Sequence, residues 1–341
     1  MAQPIFHIIT KDHDQRRLDK WLKEKFPGLS FSLLQRLIRQ GQIRIDGKRA
    51  KGNTLLAKGQ TVRLPPLDIW DEDPFEALMR QKFTLSDDEI EDLQNCVLYM
   101  DDHLIIFNKP AGLAVQGGTG QKRHLDGYLS YLQYGKDMAP KILHRLDKET
   151  SGLLLLARTN EATRFYGDLL KNQGIDKIYL ALCAGKAKHK KALIDAPLGK
   201  QKDGHYDKVK IDQDEGKDAQ TYYESIAYSR THDVSMVLAS PLTGRTHQIR
   251  VHLSSHDLPI LGDFKYKAPK ETMNAKPGYL YLHAFRLIVP KLSDKQEMID
   301  VMAPIPSYYE EMISRIGMDQ PEKISGSFIA EFRKHKKKNT V

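Results

Sequence analysis

Cysteine is nearly absent: Cys96 and Cys183 are the only two in 341 residues, far apart in the chain. That spacing suggests neither a disulfide framework nor a thiolate metal site. No apolar run reaches membrane length, and the first residues, Met1 to His7, lack the sustained apolar stretch of a signal peptide. The cytoplasm is the expected location. Gln116-Gly117-Gly118-Thr119-Gly120 is glycine-rich but lacks the Gly-x-x-x-x-Gly-Lys spacing of a phosphate loop, so it reads as a flexible loop. His144, Asp147, His247 and His252 stand in no recognised zinc spacing. No periodic repeat is visible.

What the chain does have is charge. Lys and Arg number 53 against 44 Asp and Glu, a net of +9 that suits a polyanionic partner gripped through its phosphates. Many soluble proteins are as basic without such a partner. The length allows two or three domains with a real core.

Residues 14–65 read as a compact unit. Leu18, Trp21, Leu22 and Phe26 recur at helical spacing up to Pro27-Gly28. A second helix starts near Ser30 or Ser32, carries Leu33, Leu34, Leu37 and Ile38 on its apolar face, and stops at Gly41. Ile43 and Ile45 alternate with Arg44, Asp46-Gly47 marks a tight turn, and Thr61 to Leu64 close as a strand. Arg36, Arg39, Arg44, Lys48, Arg49 and Lys51 form a basic cluster, either a solvated face or an RNA contact. Residues 66–94 are acidic and read as a linker with one short helix around Phe75 to Lys82.

From residue 95 to 306 the pattern is strand-rich. Val97-Leu98-Tyr99 and Leu104 to Phe107 suggest a hairpin; residues 160–173 suggest a helix ended by Gly174. Further strands are expected at 177–182, 220–227, 234–239 and 279–289, with polar, lysine-rich loops or edge hairpins at 186–191 and 200–217. Thr246 is placed to cap a helix running to about Ser255, which sets His247 and Arg250 on one face. Many strands with few helices point to a mixed, largely antiparallel α+β domain. Residues 307–341 form a C-terminal extension whose basic end, Arg333 to Lys338, is expected to be disordered.

The chemistry centres on Leu143-His144-Arg145-Leu146-Asp147-Lys148-Glu149-Thr150-Ser151-Gly152, followed by four leucines. The leucine run suits a buried strand, so Asp147 falls on an irregular loop just before a rigid core element. The bland alternative is a structural ion pair beside a turn.

His144-Arg145-Leu146-Asp147-x-x-Thr150-Ser151-Gly152-Leu153 resembles the catalytic motif of pseudouridine synthases of the RluA type. A second stretch of that family appears at Pro241 to His252, and shorter ones at Asn108 to Gly112, Lys177 to Leu182, Pro259 to Asp263 and Leu282 to Ala284. The layout is most similar to the RluC type, which implies action on uridines of large-subunit (23S-type) ribosomal RNA. The first unit resembles the small RNA-binding domain named after ribosomal protein S-four.

The resemblance implies a bent-sheet catalytic domain with ribosomal RNA as partner; the isomerisation involves no redox step or phosphoryl transfer, so no cofactor and no metal is expected, and with no obligate protein partner evident a monomer is expected. The resemblance makes Asp147 the group that attacks the anomeric carbon or removes the neighbouring ribose proton. Tyr179 then takes part in loss of the carbon 5 proton, and Arg250 pairs with the aspartate; Arg245 competes for that place and otherwise contacts phosphate. Arg145 is the candidate to fill or guard the space vacated by the flipped base, because its planar guanidinium can stack and hydrogen-bond. His144, Lys109 and His247 face the RNA, while Ile249, Leu253 and the leucine strand form an apolar wall. Two rivals remain: a non-catalytic RNA-binding or assembly factor on the same fold, and a synthase acting on transfer RNA.

Overall fold

The computed structural model describes residues 4–26, 31–66, 84–117, 123–136, 138–201, 208–266, 278–319, 321 and 326–338. Pro27-Gly28, Ser30, the side chain of Leu33, the proposed helix at 75–82 and most of the 116–120 loop lie outside them. The chain divides into two compact units, Met1–Thr84 and Leu85–Val341. Among the described residues no helix is long and apolar enough to cross a membrane.

In the first unit, helices α1 (Leu18–Lys25) and α2 (Phe31–Arg39) bury Leu18, Trp21 and Leu22 against Leu34, Leu37 and Ile38. They cover a four-stranded sheet of order β1-β4-β2-β3, formed by β1 (Ile5–Ile8), β2 (Arg44–Ile45), β3 (Lys48–Arg49) and β4 (Thr61–Leu64). Asp46 and Gly47 both take positive φ, 48° and 74°, which matches the right-handed strand twist of a two-residue hairpin. Strand β1, antiparallel to β4, lies upstream of where the sequence pattern began. Its few residues alternate between half-buried and exposed, too short a run to stand out.

The second unit opens with α3 (Asp87–Asn95), whose Ser86 and Glu89 make a reciprocal capping box. The acidic run Asp87-Asp88-Glu89, read from sequence as linker, is its first turn. There the acids complement the positive end of the helix dipole. The large sheet follows: β5 (Val97–Met100), β6 (Leu104–Lys109), β7 (Lys141–Ile142), β8 (Ser151–Ala157), β9 (Asp176–Ala184), β10 (Lys191–Asp195), β13 (Gln220–Ser229), β14 (Val234–Pro241), β15 (Leu282–Pro290) and β16 (Met298–Met302). Its order is β10-β13-β14-β9-β15-β8-β6-β5, with β16 beside β15 and β7 beside β8. Only the β15–β8 pairing is parallel, and it is confined to His283–Ser151 and Ala284–Gly152. Beyond it β15 pairs with β16 and β8 with β7, so the two strands part at this point. The lysine-rich stretch contributes a small hairpin, β11 (Leu198–Lys200) with β12 (Val209–Ile211).

All seven residues of β8 are buried, as the leucine run suggested. Leu153 and Leu155 pack with Ala162 and Tyr166 of α4 (Asn160–Lys171). The helix ends with Gln173, not glycine, in the left-handed region at φ 58°. Gly174 follows it, its N–H donating to Leu169 O at 2.6 Å and so closing the last turn of the helix.

The C-terminal tail corrects the sequence reading. Helices α6 (Ser307–Arg315) and α7 (Gly326–Lys338) are ordered elements. Phe328 and Phe332, one turn apart on α7, are buried, and Phe328 packs on Tyr222 of β13. Glu331 accepts from Lys191 Nζ and Tyr222 Oη, and Arg333 and Lys336 both pair with Asp176. The charge run hid an apolar stripe at helical spacing.

Candidate active site

Asp147 stands on the loop between β7 and β8, and that loop is pinned at both ends. Upstream, Leu143 N–H donates to Leu155 O, and Leu155 N–H donates to His144 Nε2. In mid-loop the Lys148 carbonyl accepts from Gly112 N–H at 2.9 Å and from Lys109 Nζ at 3.1 Å. Downstream, Ser151 Oγ meets His283 Nδ1 at 2.8 Å. Gly152, φ 104°, lies so close to β15 that a Cβ would sit 2.3 Å from Ala284 O. A close-packed strand thus begins a few residues beyond the aspartate, which restricts where the carboxylate can go.

The opposite wall comes from the 243–250 segment. Thr246 does not cap the helix α5 (Gln248–Ser255); His247 occupies the N-cap in a left-handed conformation, φ 54° and ψ 19°. Gln248 buckles this turn to β13. Its amide oxygen accepts from Thr243 Oγ1 and Arg245 N–H, and its amide nitrogen donates to Gln220 O and Thr221 Oγ1. The result aims two cationic-type side chains at Asp147. Arg250 Nη1 donates to Asp147 Oδ2 at 2.9 Å, and His247 Nε2 lies 3.8 Å from the same oxygen. Among the described residues Asp147 Oδ1 accepts no hydrogen bond.

Arg250 is itself clamped from behind. Its Nε and Nη2 donate to Asp263 Oδ2 and Oδ1 at 2.7 and 2.9 Å, a bidentate pair with Asp263 fully buried. Its guanidinium also lies 5.2 Å from the Tyr266 ring centroid. Burial works against the Arg250 charge, but Asp263 and Asp147 outweigh it and raise its pKa. Gly262 makes this possible: at φ 76° it turns the chain where a Cβ would meet Tyr279 O at 1.9 Å.

These groups enclose a cavity of about 260 Å³. Asp147, Tyr179, Arg250, His247, Ile249, Arg245, Arg145 and His144 all line it, so the structure brings together most of the residues selected from sequence. Tyr179 reaches it from β9, flanked in register by Ala239 and Ala284. Burial, then the nearby Asp147 charge, raise the Tyr179 pKa, so its hydroxyl is neutral at neutral pH. His144 is held neutral by burial, its pKa lowered to about 3. Arg145 is exposed at the rim, and Arg245, also exposed, donates from Nε to Asp218 O.

Three expectations are corrected. Lys109 faces no RNA. It is wholly buried, with Nζ donating to the carbonyls of Pro110, Leu113 and Lys148, and so ties two loops together. Leu253 is sealed in the core one turn beyond Ile249 and does not line the cavity. In the first unit, Arg39, Lys48, Arg49 and Lys51 are exposed and Arg36 is half-buried. Arg44 instead braces the hairpin, donating to Gly41 O and Gly47 O.

The sequence reading assigned no role to Asp263, Tyr266, Gln248 or Lys177. Asp263 directly follows a turn glycine, a signal that marks a placed side chain but not its partner. Lys177 shares a strand face with Tyr179 and lines the cavity; burial, then Lys336, lower its pKa to about 8. Tyr266 carries no local signal.

Comparison with known proteins agrees with this geometry. Residues 103–255 match the family model for RNA pseudouridylate synthase, and residues 16–62 match that for the S4 domain. The chain is 35% identical over 305 residues to ribosomal large subunit pseudouridine synthase C of Rickettsia typhi, covering 87% of this chain and 96% of the relative. It is 32% identical over 313 residues to the protein of the same name from Vibrio vulnificus, covering 90% and 95%. Among solved structures, human RNA pseudouridylate synthase domain containing 4 superposes with a TM-score of 0.58 at 26% identity, covering 71% of this chain and 99% of that one. A strand-borne tyrosine and a loop aspartate clamped by arginine thus lie in a chain that aligns with these relatives nearly end to end: it belongs to the RNA pseudouridylate synthase family.

Proposed function

We propose that this enzyme isomerises uridines to pseudouridine in large-subunit ribosomal RNA, in the cytoplasm, with Asp147, Tyr179 and Arg250 as its catalytic set. The observation that carries the assignment of the set is the Arg250–Asp147 contact of 2.9 Å inside a cavity that Tyr179 also enters. The relatives' names support the choice of RNA.

The reaction breaks the bond from base nitrogen 1 to the anomeric carbon, turns the base, joins carbon 5 to that carbon and moves the carbon 5 proton away while nitrogen 1 gains one. Atoms and electrons balance without an oxidant, reductant or phosphoryl donor. Arg250 occupies Oδ2, leaving Oδ1 of Asp147 directed to substrate, for attack on the anomeric carbon or for removal of the neighbouring ribose proton. Either route discharges the carboxylate. Joining carbon 5 to the anomeric carbon restores that charge, so Asp147 is free again before the carbon 5 proton leaves, and Tyr179, whose hydroxyl burial and the Asp147 charge keep neutral until then, is the side chain placed to take part in that last step. Ile249 and Leu282 give the base an apolar surface, and Arg145 stands at the rim to fill the stack when the uridine flips, a step costing on the order of a few kcal/mol.

On this reading the first unit is an RNA grip. Its exposed Arg39, Lys48, Arg49 and Lys51 meet phosphates, and each lost contact should lower the slope of log affinity against log salt by about 1. The deciding experiment maps carbodiimide-reactive pseudouridines in ribosomal and transfer RNA from cells with and without the gene. Sites lost only from large-subunit RNA support the assignment. Sites lost only from transfer RNA transfer the activity there, and no lost site leaves an RNA-binding factor.

A further inference from the structure

Tyr266 touches the active site only through other residues, yet three of them converge on it. Val209 N–H, from β12, donates to its Oη at 3.0 Å. The Arg250 guanidinium lies over its ring. Its Oη is 2.7 Å from His247 Nδ1, and the two rings meet edge to face at 5.6 Å. A phenol carries one proton. With the oxygen already accepting from Val209, the acceptor within reach of that proton among the described residues is His247 Nδ1. An imidazole that accepts at Nδ1 carries its own proton on Nε2, and that nitrogen lies 3.8 Å from Asp147 Oδ2, within the cavity. The gap is too long for a hydrogen bond, so the N–H is left for something that enters.

We propose that Tyr266 is a positioning residue that holds His247 as its Nε2–H tautomer, and that this N–H donates to the ribose 2′-oxygen of the flipped uridine. The proposal deepens the assignment of Asp147 and rests on it. If that carboxylate works at the anomeric carbon or the carbon beside it, the 2′-oxygen is at most two bonds from the reacting centre. A donor less than 4 Å from the carboxylate is placed to reach it. The 2′-hydroxyl is also the group by which a protein tells RNA from DNA.

The surroundings keep the imidazole neutral. Burial lowers the His247 pKa, Arg250 and Lys265 push the same way, and Asp147 and Asp263 oppose them. Tyr266 and, beyond its ring, Lys208 complete the groups on that side. The main-chain link to Val209 makes the β11–β12 hairpin part of this support, a role its lysine-rich sequence did not suggest.

Two measurements test the proposal. The first is nitrogen-15 NMR of histidine-labelled enzyme, with His247→Ala identifying the signals. The wild type should show a protonated Nε2 and a bare Nδ1, and Tyr266→Phe should give a mixture of tautomers. A proton on Nδ1 in the wild type, or no change in Tyr266→Phe, overturns the role of Tyr266. The second measures binding in the Asp147→Asn background, with RNA fragments carrying uridine or 2′-deoxyuridine at the target position. The ribose form should bind about fivefold more tightly, the loss expected for one hydrogen bond. His247→Ala should abolish that preference, bringing the ratio of the two affinities to about one. A ratio near one with His247 present, or an unchanged ratio without it, overturns the 2′-oxygen contact. Because this readout is binding, it stands apart from whether Asp147 is the catalytic group, which turnover of Asp147→Asn reports.

Discussion

Two polar clusters sit within a few residues of each other on the chain, one around Asp147 and one around Ser151. Both are made of side chains capable of catalysis. In the first, Asp147 meets Arg250, which is held by Asp263, and the carboxylate keeps 18% of its side-chain surface open to the cavity. In the second, Ser151 Oγ contacts His283 Nδ1 at 2.8 Å and Tyr308 Oη at 3.1 Å. A hydroxyl beside an imidazole is the pairing of a nucleophile and its base, but Ser151 and His283 are at most 1% exposed and do not line the cavity that holds Asp147. Its work is to join the start of β8 to β15 and α6, which steadies the loop that carries Asp147. Access separates the two clusters, not residue type.

Four experiments can break or sharpen that contrast. The largest effect is expected from Asp147→Asn, which keeps shape and removes charge. Single-turnover pseudouridine formation should fall by about 10⁴-fold or more while RNA binding survives. Turnover near wild type would reduce the open cluster to a structural one. Next is Tyr179→Phe, which keeps the buried ring and deletes the hydroxyl. The rate should drop by about 10²–10⁴-fold, with the melting temperature and RNA affinity little changed. A rate near wild type would mean that the ring only packs.

Asp263→Asn comes third, because it acts through Arg250. Half of a buried ion pair is removed, so stability should fall by about 3 kcal/mol. The rate should fall by roughly tenfold to a hundredfold as the arginine loses its fixed geometry. Denaturant unfolding and single-turnover kinetics on the same preparation separate the two losses; an unaltered rate would show that the clamp serves folding alone.

The closed cluster should give the smallest catalytic effect. Ser151→Ala is expected to leave the rate within about twofold of wild type and cost roughly 1–2 kcal/mol of stability. A large rate loss with intact folding would dissolve the contrast. The same cluster makes a pH prediction. Burial lowers the His283 pKa to about 4 from an unfolded value of 6.5, so below pH 6.5 the unfolded chain takes up the proton first. The stability present above pH 6.5 is therefore lost as the pH falls toward 4, by on the order of 3 kcal/mol from this residue. His283→Asn should flatten that decline in a melting series, leaving the part due to the other histidines whose pKa burial lowers, among them His144, His247 and His252.

Several features were legible because their signal is local. The leucine run announced β8, Asp46-Gly47 announced its hairpin, and the family resemblance, not helix spacing, paired Arg250 with Asp147. The misses share a cause. Lys109 reads as a surface cation until three carbonyls, two of them from other turns of the chain, are seen to surround its amine. The tail reads as solvated charge until β13 supplies a partner for Phe328 and Asp176 supplies one for Arg333 and Lys336. Thr246 is a sound cap by residue type, but the hydrogen bonds of Gln248 set the turn one residue later.

The sequence by itself therefore determined the family, the separate helical unit and the strand-rich unit, and its resemblance to that family selected a carboxylate, a tyrosine and an arginine that the fold brings to one cavity. Those properties reside in periodicity, turn residues and contiguous motifs, which short-range sterics and apolar burial translate directly into structure. Only the tertiary structure decided that Asp263 locks Arg250, that Tyr266 meets His247, that Lys177 enters the cavity and that the Ser151–His283 pair is shut away. Each of these depends on which distant strands become neighbours, and on whether water and substrate can still reach a group once they have. Burial and partnership are properties of the assembled sheet, and no window of sequence contains them.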